Sequence, residues 1–291
     1  MRLQQFSISL LSRLPLRVLY SFEPWLAFAL RRMIQYRKKV IVSNLQKSFP
    51  HLSKDKMSTI IKDYYRHLSR IMIEALKSKY MPIEEMCERF HLKNPELIEE
   101  MCQQYGGALL LTPHFGNWEW GVCLGDQLKT PSIGFYKTLH NSKANEALLK
   151  GRNRFQMTLE PVNQAARVLL KNKNSQTSYI VLFDQQPSGT KQTAWITFLN
   201  QPTEINLTPA KIAAQLGYPL IYLHENLVKK GYYHITAELV EEKPRSEDAI
   251  PITKKYMRML EKQIIDNPSL WLWSHRRWKF KKPDHIDMSD D

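Results

Sequence analysis

The chain is short of cysteine and glycine: 291 residues contain three of the first and ten of the second. Cys87, Cys102 and Cys123 are odd in number, widely spaced and form no C-x-x-C pair. That argues against a disulfide framework or a zinc site and suits a reducing compartment, where they read as three small buried apolar residues. There is no Walker loop, no G-x-S-x-G elbow and no dinucleotide-binding glycine pattern, and no pair of histidines has metal-ligand spacing beside carboxylates. No cofactor and no metal are implied. Runs of membrane-spanning length are also missing. The uncharged stretch Leu3–Ser12 is ten residues, against the ~20 that a span requires. The longest uncharged stretch, Met101–Trp118, carries Gly106-Gly107, Pro113, His114 and Asn117 and is no lipid-facing helix. Arg13 and Arg17 stand where a signal peptide needs a small-residue cleavage site. The chain is therefore expected on the cytoplasmic side.

What is abundant is positive charge. Hydrophobic residues at 43% and aromatics at 11% are ordinary for a globular protein, but the formal net charge is +14. Residues 1–79 hold 16 Lys and Arg against Glu23, Asp55, Asp63 and Glu74, a net +12; residues 80–291 hold 26 against 24, a net +2. A nucleic-acid binder has this asymmetry, and so does a protein seated on an anionic membrane surface.

Along the chain, residues 1–47 read as helical and amphipathic. Leu3, Phe6, Leu10, Leu14 and Val18 share one face, Ser9, Arg13 and Arg17 line another, and Pro15 kinks or splits the helix. Phe22, Trp25, Leu26, Phe28 and Leu30 continue the apolar character before Arg31-Arg32 and Arg37-Lys38-Lys39. Apolar surface bordered by Arg and Lys fits an interfacial helix, and equally a helix packed on its own core with a solvated basic face. Ser53 is placed to cap a helix over 55–78, and Asn94-Pro95 opens another that ends before Gly106. From there strand candidates at 107–112, 132–137, 178–183, 219–224 and 232–239 alternate with helical stretches near 117–127, 141–154, 163–172 and 208–216. This predicts an α/β fold with a mixed, mostly parallel sheet flanked by helices. Only Glu225–Gly231 joins the last two strands, too short for a parallel crossover, so they should pair antiparallel. The chain divides into an N-terminal basic helical region over 1–50 and an α/β domain over 51–291.

The apolar run Leu109-Leu110-Leu111 ends at Thr112-Pro113-His114-Phe115-Gly116-Asn117-Trp118-Glu119. The C-terminal end of a strand is where α/β proteins place ligands. A histidine there with a carboxylate close enough to orient it can take a proton from a hydroxyl. The same residues also fit a buried histidine bonded to backbone and a glutamate on the next helix. Three further groups stand at helix or strand ends: Arg152 and Arg154, Asp184 with Gln185, and the aromatic-basic segment Trp271–Phe280 that includes Arg276. Each has a plainer reading, respectively a solvated helix end, a turn residue, and tryptophans packed on the sheet. The last segment could also stack single-stranded nucleic acid or flank a membrane interface.

The His114 motif closely resembles the signature of the bacterial lipid A biosynthesis late acyltransferases (lauroyl and myristoyl transferases) of the lysophospholipid acyltransferase superfamily. The likeness extends to Tyr36-Arg37-Lys38-Lys39-Val40, Asn44–Pro50, Gly151-Arg152, Asp184-Gln185 and Trp271–Lys279. Having Glu119 where the superfamily more often has Asp, and lacking a Phe-Pro-Glu-Gly-type block, the chain sits closer to the lipid A branch than to glycerolipid acyltransferases. It lacks the hydrophobic N-terminal anchor of many relatives.

The resemblance implies a glycerolipid-acyltransferase-like fold. It implies secondary acylation: transfer of a fatty acyl chain from acyl carrier protein to a hydroxyl of a lipid A precursor at the cytoplasmic face of the bacterial inner membrane. A thioester donor needs no ATP, and the motif implies no metal. His114 is the expected general base with Glu119 as its partner, and with no nucleophilic Ser or Cys in the motif the transfer is expected to be direct. Arg152, Arg154 and backbone N–H groups after His114 are candidate donors to the oxyanion and to sugar phosphates. Asn117, Asp184, Gln185 and Arg276 complete the expected substrate-binding set. A lysophospholipid or glycolipid acceptor would use the same chemistry. A nucleic-acid-binding protein would explain the basicity but not the aliphatic N-terminal face, and nucleic acid is not the expected partner.

Overall fold

The computed structural model describes residues 13–138, 149, 151–187 and 191–289. Its centre is a seven-stranded sheet in the order β1-β9-β8-β2-β5-β3-β4, formed by Phe90–Leu92 (β1), Gly107–Thr112 (β2), Ser132–Tyr136 (β3), Thr158–Pro161 (β4), Thr177–Leu182 (β5), Leu220–Lys229 (β8) and Tyr232–Glu241 (β9). All neighbours pair parallel except β8 with β9, which pair antiparallel as the short connection requires. Thr193–Phe198 (β6) and Gln201–Asn206 (β7) form a separate hairpin.

β2 is apolar up to its last residue, Thr112, because both faces of the sheet are covered. Leu109 and Leu111 join one core cluster with Tyr64, Tyr65 and Leu68 of the long helix Lys54–Ser78, the hairpin, and the C-terminal helix Ala249–Asp266. Ala108 and Leu110 point the other way, into a second cluster with Ile98, Trp120, Cys123 and Ile221. Burying the three leucine side chains contributes roughly 5–9 kcal/mol before entropy is counted.

Several sequence expectations hold residue by residue. Ser53 Oγ accepts from Lys56 N at the start of the long helix. Helix Pro95–Tyr105 ends on Gly106 at φ +75°, where a side chain would be strained. The expected helix near 117–127 is a 3₁₀ helix, Trp118–Asp126, and most of the one expected over 141–154 lies outside the described residues. β1 and β4 were not expected; they are three and four residues long and carry too little pattern. The hairpin was not expected either, because Leu199-Asn200, not Asn-Gly, makes its two-residue turn at φ +49° and +59°. Helix Ala249–Asp266 was overlooked, although Ile252, Tyr256, Leu260 and Ile264 recur every fourth residue.

The N-terminal region is broken into Leu16–Ser21, Glu23–Phe28 and a π turn Ala29–Met33, with Pro15 capping the first helix. Its inner side is docked. Leu16, Leu19, Ala27 and Leu30 are buried, and the Glu23 carboxylate is buried against Arg66, Arg70 and Lys230. Its outer side is bare, with Phe22, Trp25, Phe28, Met33 and Ile34 exposed, Trp25 to 75%. Leu3, Phe6 and Leu10 of the expected face lie outside the described residues. No helix among the described residues is long and apolar enough to cross a membrane.

Candidate active site

Strand register builds the site. β2 and β5 pair parallel with Thr112 opposite Leu182. Two residues beyond each strand end stand His114 and Asp184, so the pairing brings them face to face. His114 Nδ1 lies 2.7 Å from Asp184 Oδ1. The other carboxylate oxygen accepts from the Trp271 indole N–H at 2.8 Å. Burial works to raise the Asp184 carboxyl, but His114 and the donated hydrogen bonds outweigh it and hold the group below the usual carboxylate range. An ionised Asp184 can only accept, so Nδ1 carries the hydrogen and Nε2 the lone pair. Gln185 Nε2 stands 3.1 Å from that nitrogen.

Glu119 does not reach the imidazole. It sits on the first turn of the 3₁₀ helix and pairs with Arg152 at 2.6 Å. The partner of His114 is Asp184, which sequence reading had placed among the substrate contacts; it is buried behind the histidine. Asn117, also expected at substrate, is fully buried and donates to Glu74 Oε2 at 2.6 Å. Arg154 donates to the Met81 carbonyl and covers the Phe155 ring, so its guanidinium is engaged away from His114. The expected backbone donors are occupied too: Gly116 N–H is given to Leu270 O at 3.0 Å and Asn117 N–H to the Glu225 carboxyl. These groups fix the loop; they do not face open space.

The loop is clamped on every side. His67 of the long helix lies with Nε2 3.0 Å from Gly116 O, and burial pushes its pKa down to about 3, so it is neutral and donates. Leu272 N–H donates to His114 O at 3.1 Å. Gly116 has φ +58°, and a Cβ there would collide with the Glu225 carboxyl. Glu74 gathers Tyr20, Tyr233 and Asn117 as donors, and burial raises its pKa to about 7. Sequence reading missed His67, Glu74 and Glu225, which carry no motif and stand 49, 43 and 108 residues from their partners in the loop.

Two spaces adjoin residues that touch His114: Trp118, whose ring centroid lies 5.6 Å from the imidazole, lines one, and Gln185 lines the other. On one side a narrow slot runs inward past Trp118, Glu119 and Arg152, between Val122, Leu124, Phe135, Met157, Leu159 and Ile180. On the other an open cleft is walled by Arg37, Lys38, Lys39, Lys137 and Arg276, with Gln185 and His275 at its inner edge. Arg276 thus lines the same cleft as Gln185. Its neighbour Arg277 is buried, donating to Glu204 O at 2.7 Å, and burial pulls its pKa down to about 10. Among the described residues no group of histidine, cysteine or carboxylate side chains is placed to hold a metal ion.

An aspartate-oriented histidine at the strand ends of an α/β sheet can exchange a proton with a group bound beside it. Comparison with known proteins gives the family. The model of the bacterial lipid A biosynthesis acyltransferases matches residues 3–280, and the chain belongs to that family of acyltransferases. It is 22% identical to the lipid A biosynthesis palmitoleoyltransferase of Escherichia coli K12 over 255 residues, which is 86% of this chain and 81% of that protein. To the lauroyltransferase of the same organism it is 21% identical over 285 residues, 93% and 88% of the two chains. A lipid A biosynthesis acyltransferase of Shigella flexneri matches at 22%, over 86% and 81%.

Proposed function

We propose that this protein transfers a fatty acyl group from an acyl-carrier-protein thioester directly to a hydroxyl of a lipid A precursor, with His114 as general base. The observation that carries this is His114, oriented by Asp184 with Nε2 turned to Gln185 of the cleft and its ring beside Trp118 of the slot. The acceptor hydroxyl displaces Gln185 from Nε2 and gives up its proton there as its oxygen attacks the thioester carbonyl. Asp184 stabilises the imidazolium that forms. Collapse of the tetrahedral intermediate breaks the C–S bond, and the leaving thiolate takes the proton back from Nε2. Arg152, which lines the slot and is held by Glu119, is the cation suited to stabilise the charge that the carbonyl oxygen gains.

The slot is the place for the acyl chain. Its free volume is about 80 Å³, under the ~300 Å³ at which ligand pockets begin, so an entering chain must part its walls, and the pliable Met157 is the side chain suited to yield. Direct transfer is supported by the cysteines. Cys102 and Cys123 are buried, burial pushes both thiols up, and Cys87 Sγ is directed at the Cys123 carbonyl.

The bare apolar edge from Phe22 to Ile34, flanked by Arg17, Arg31 and Arg32, supports peripheral seating on the cytoplasmic face of the inner membrane. The deciding assay supplies acyl carrier protein thioester with either a lipid A precursor or a lysophospholipid and reads products by mass spectrometry. Acylation of the saccharide lipid is expected. Acylation of the lysophospholipid alone would move the protein to a glycerolipid reaction.

A further inference from the structure

The cleft on the Gln185 side has about 760 Å³ of free volume and five cationic side chains on its walls, with no carboxylate among its lining residues. Cations gathered without counter-charge repel one another, and a fold tolerates the arrangement best when an anion completes it. The wall is also held in place. Arg37 donates to Ser274 O at 3.0 Å, and Asn44 of helix Lys38–Ser48 donates to the carbonyls of Trp273 and His275, both at 3.0 Å. The chain enters that helix through Gln35 and Arg37, both left-handed at φ +51° and +47°. Non-glycine residues in that region cost on the order of 1 kcal/mol or more and persist where surrounding contacts over-determine them, often at ligand clamps. The positive end of the helix dipole faces the same space. Gln185 joins the cleft to the reacting nitrogen, since it lines the cleft and stands 3.1 Å from His114 Nε2.

Resting on the acyltransferase reading above, we propose that this cleft is a phosphate-recognition subsite, in which Lys38, Lys137 and Arg276, with Arg37 behind them, bind a phosphate ester and thereby set a substrate's reactive group over His114. A phosphomonoester, with a charge of roughly −1.5 to −2, uses such a cluster more fully than a phosphodiester with one charge. That points to the acceptor sugar more than to the phosphopantetheine of the donor. The approach is open from the lipid side, because the exposed Met33, Ile34 and Tyr36 lead directly into Arg37.

The test uses the full chain and the triple variant Lys38→Gln/Lys137→Gln/Arg276→Gln, which leaves the structural Arg37 intact and changes only exposed side chains. Steady-state kinetics are run with the phosphorylated glycolipid acceptor, with the same acceptor after phosphatase treatment, and with varied donor. The KM for the phosphorylated acceptor should rise at least tenfold, and the ratio of variant to wild-type KM should fall to near one when the phosphate is removed. A rise confined to the donor KM also supports the subsite and assigns it to the donor's phosphodiester. Equal losses with both acceptors, or no change in either KM, overturn it. Titration calorimetry with inorganic pyrophosphate, which needs no transfer, should show at least tenfold weaker binding by the variant. If the wild type transfers nothing yet this difference remains, the acyltransferase reading fails alone; equal pyrophosphate binding by both proteins overturns the subsite.

Discussion

The two flanks of His114 are built in opposite ways. The slot is cut into the core: its walls are strand ends and the 3₁₀ helix, mostly apolar, and its ionisable carboxyl and guanidinium groups are the Glu119–Arg152 pair and a buried Glu225. The cleft is assembled on the surface from segments more than 200 residues apart, Arg37–Val40 and His275-Arg276, and is dominated by charge. Two neighbours of the one imidazole lead to these spaces: Trp118 lines the apolar slot and Gln185 the cationic cleft. An enzyme joining an acyl chain to an anionic saccharide needs such a division, since an apolar slot would reject the headgroup and a charged cleft the chain. The division also separates the carboxylates: Asp184 pairs with His114, Glu119 with Arg152 of the slot lining.

The comparison breaks most severely at its centre. His114→Ala should lower transfer by about 10²–10⁴-fold while leaving the fold intact; a folded variant keeping over about a tenth of the activity would falsify its role as base. Next come the two carboxylates. Asp184→Asn should cost on the order of 10²-fold and move the acid limb of the pH–rate profile downward, because the imidazolium loses its anionic partner. Glu119→Gln should lower the plateau and leave that limb in place. If Glu119→Gln moves the limb and Asp184→Asn does not, the assignment is reversed.

The slot alone is probed at Gly121, which lines it and where a Cβ meets nothing within 4 Å. Gly121→Leu should shift the ratio of kcat/KM between a long and a shorter acyl donor by about tenfold toward the shorter, the order expected for a few crowded methylenes. An unchanged ratio places the chain elsewhere. The smallest effect concerns the clamp beneath both flanks. Unfolded His67 titrates near 6.5, whereas in the fold burial, aided by Arg70, holds it to about 3. Between those values the unfolded chain binds the extra proton, so His67 removes stability as pH falls from about 6.5. His67→Gln retains a donor for Gly116 and loses this slope. Denaturant unfolding at pH 7.5 and pH 5 should show the stability gap moving in the variant's favour by about 2 kcal/mol, and a constant gap would mean that folded His67 titrates normally.

Much of this was legible in the chain. The run Leu109–Leu111 located β2, and with it the strand end that presents His114. Ser53, Asn94-Pro95 and Gly106 marked helix boundaries through local backbone chemistry. The charge bias of residues 1–79 and the apolar residues Phe22, Trp25 and Phe28 foretold a surface with both characters. What misled was proximity: five residues separate His114 from Glu119 and seventy separate it from Asp184, yet the distant carboxylate is the partner. Arg276 and Arg277 show the same limit, adjacent in sequence with one at the cleft and the other buried against Glu204.

The sequence by itself determined the alternation of strands and helices, the residue types available for chemistry and the sign of the charge, because these depend on short-range periodicity and composition. Which carboxylate meets the histidine, which arginine faces the cleft, and that Asn117, Glu74, Glu225 and His67 serve to hold a loop were decided only by the tertiary structure. The register of β2 on β5 and the docking of the long helix under Gly116 set those distances, and a parallel sheet joins residues whose separation along the chain carries no information about their separation in space.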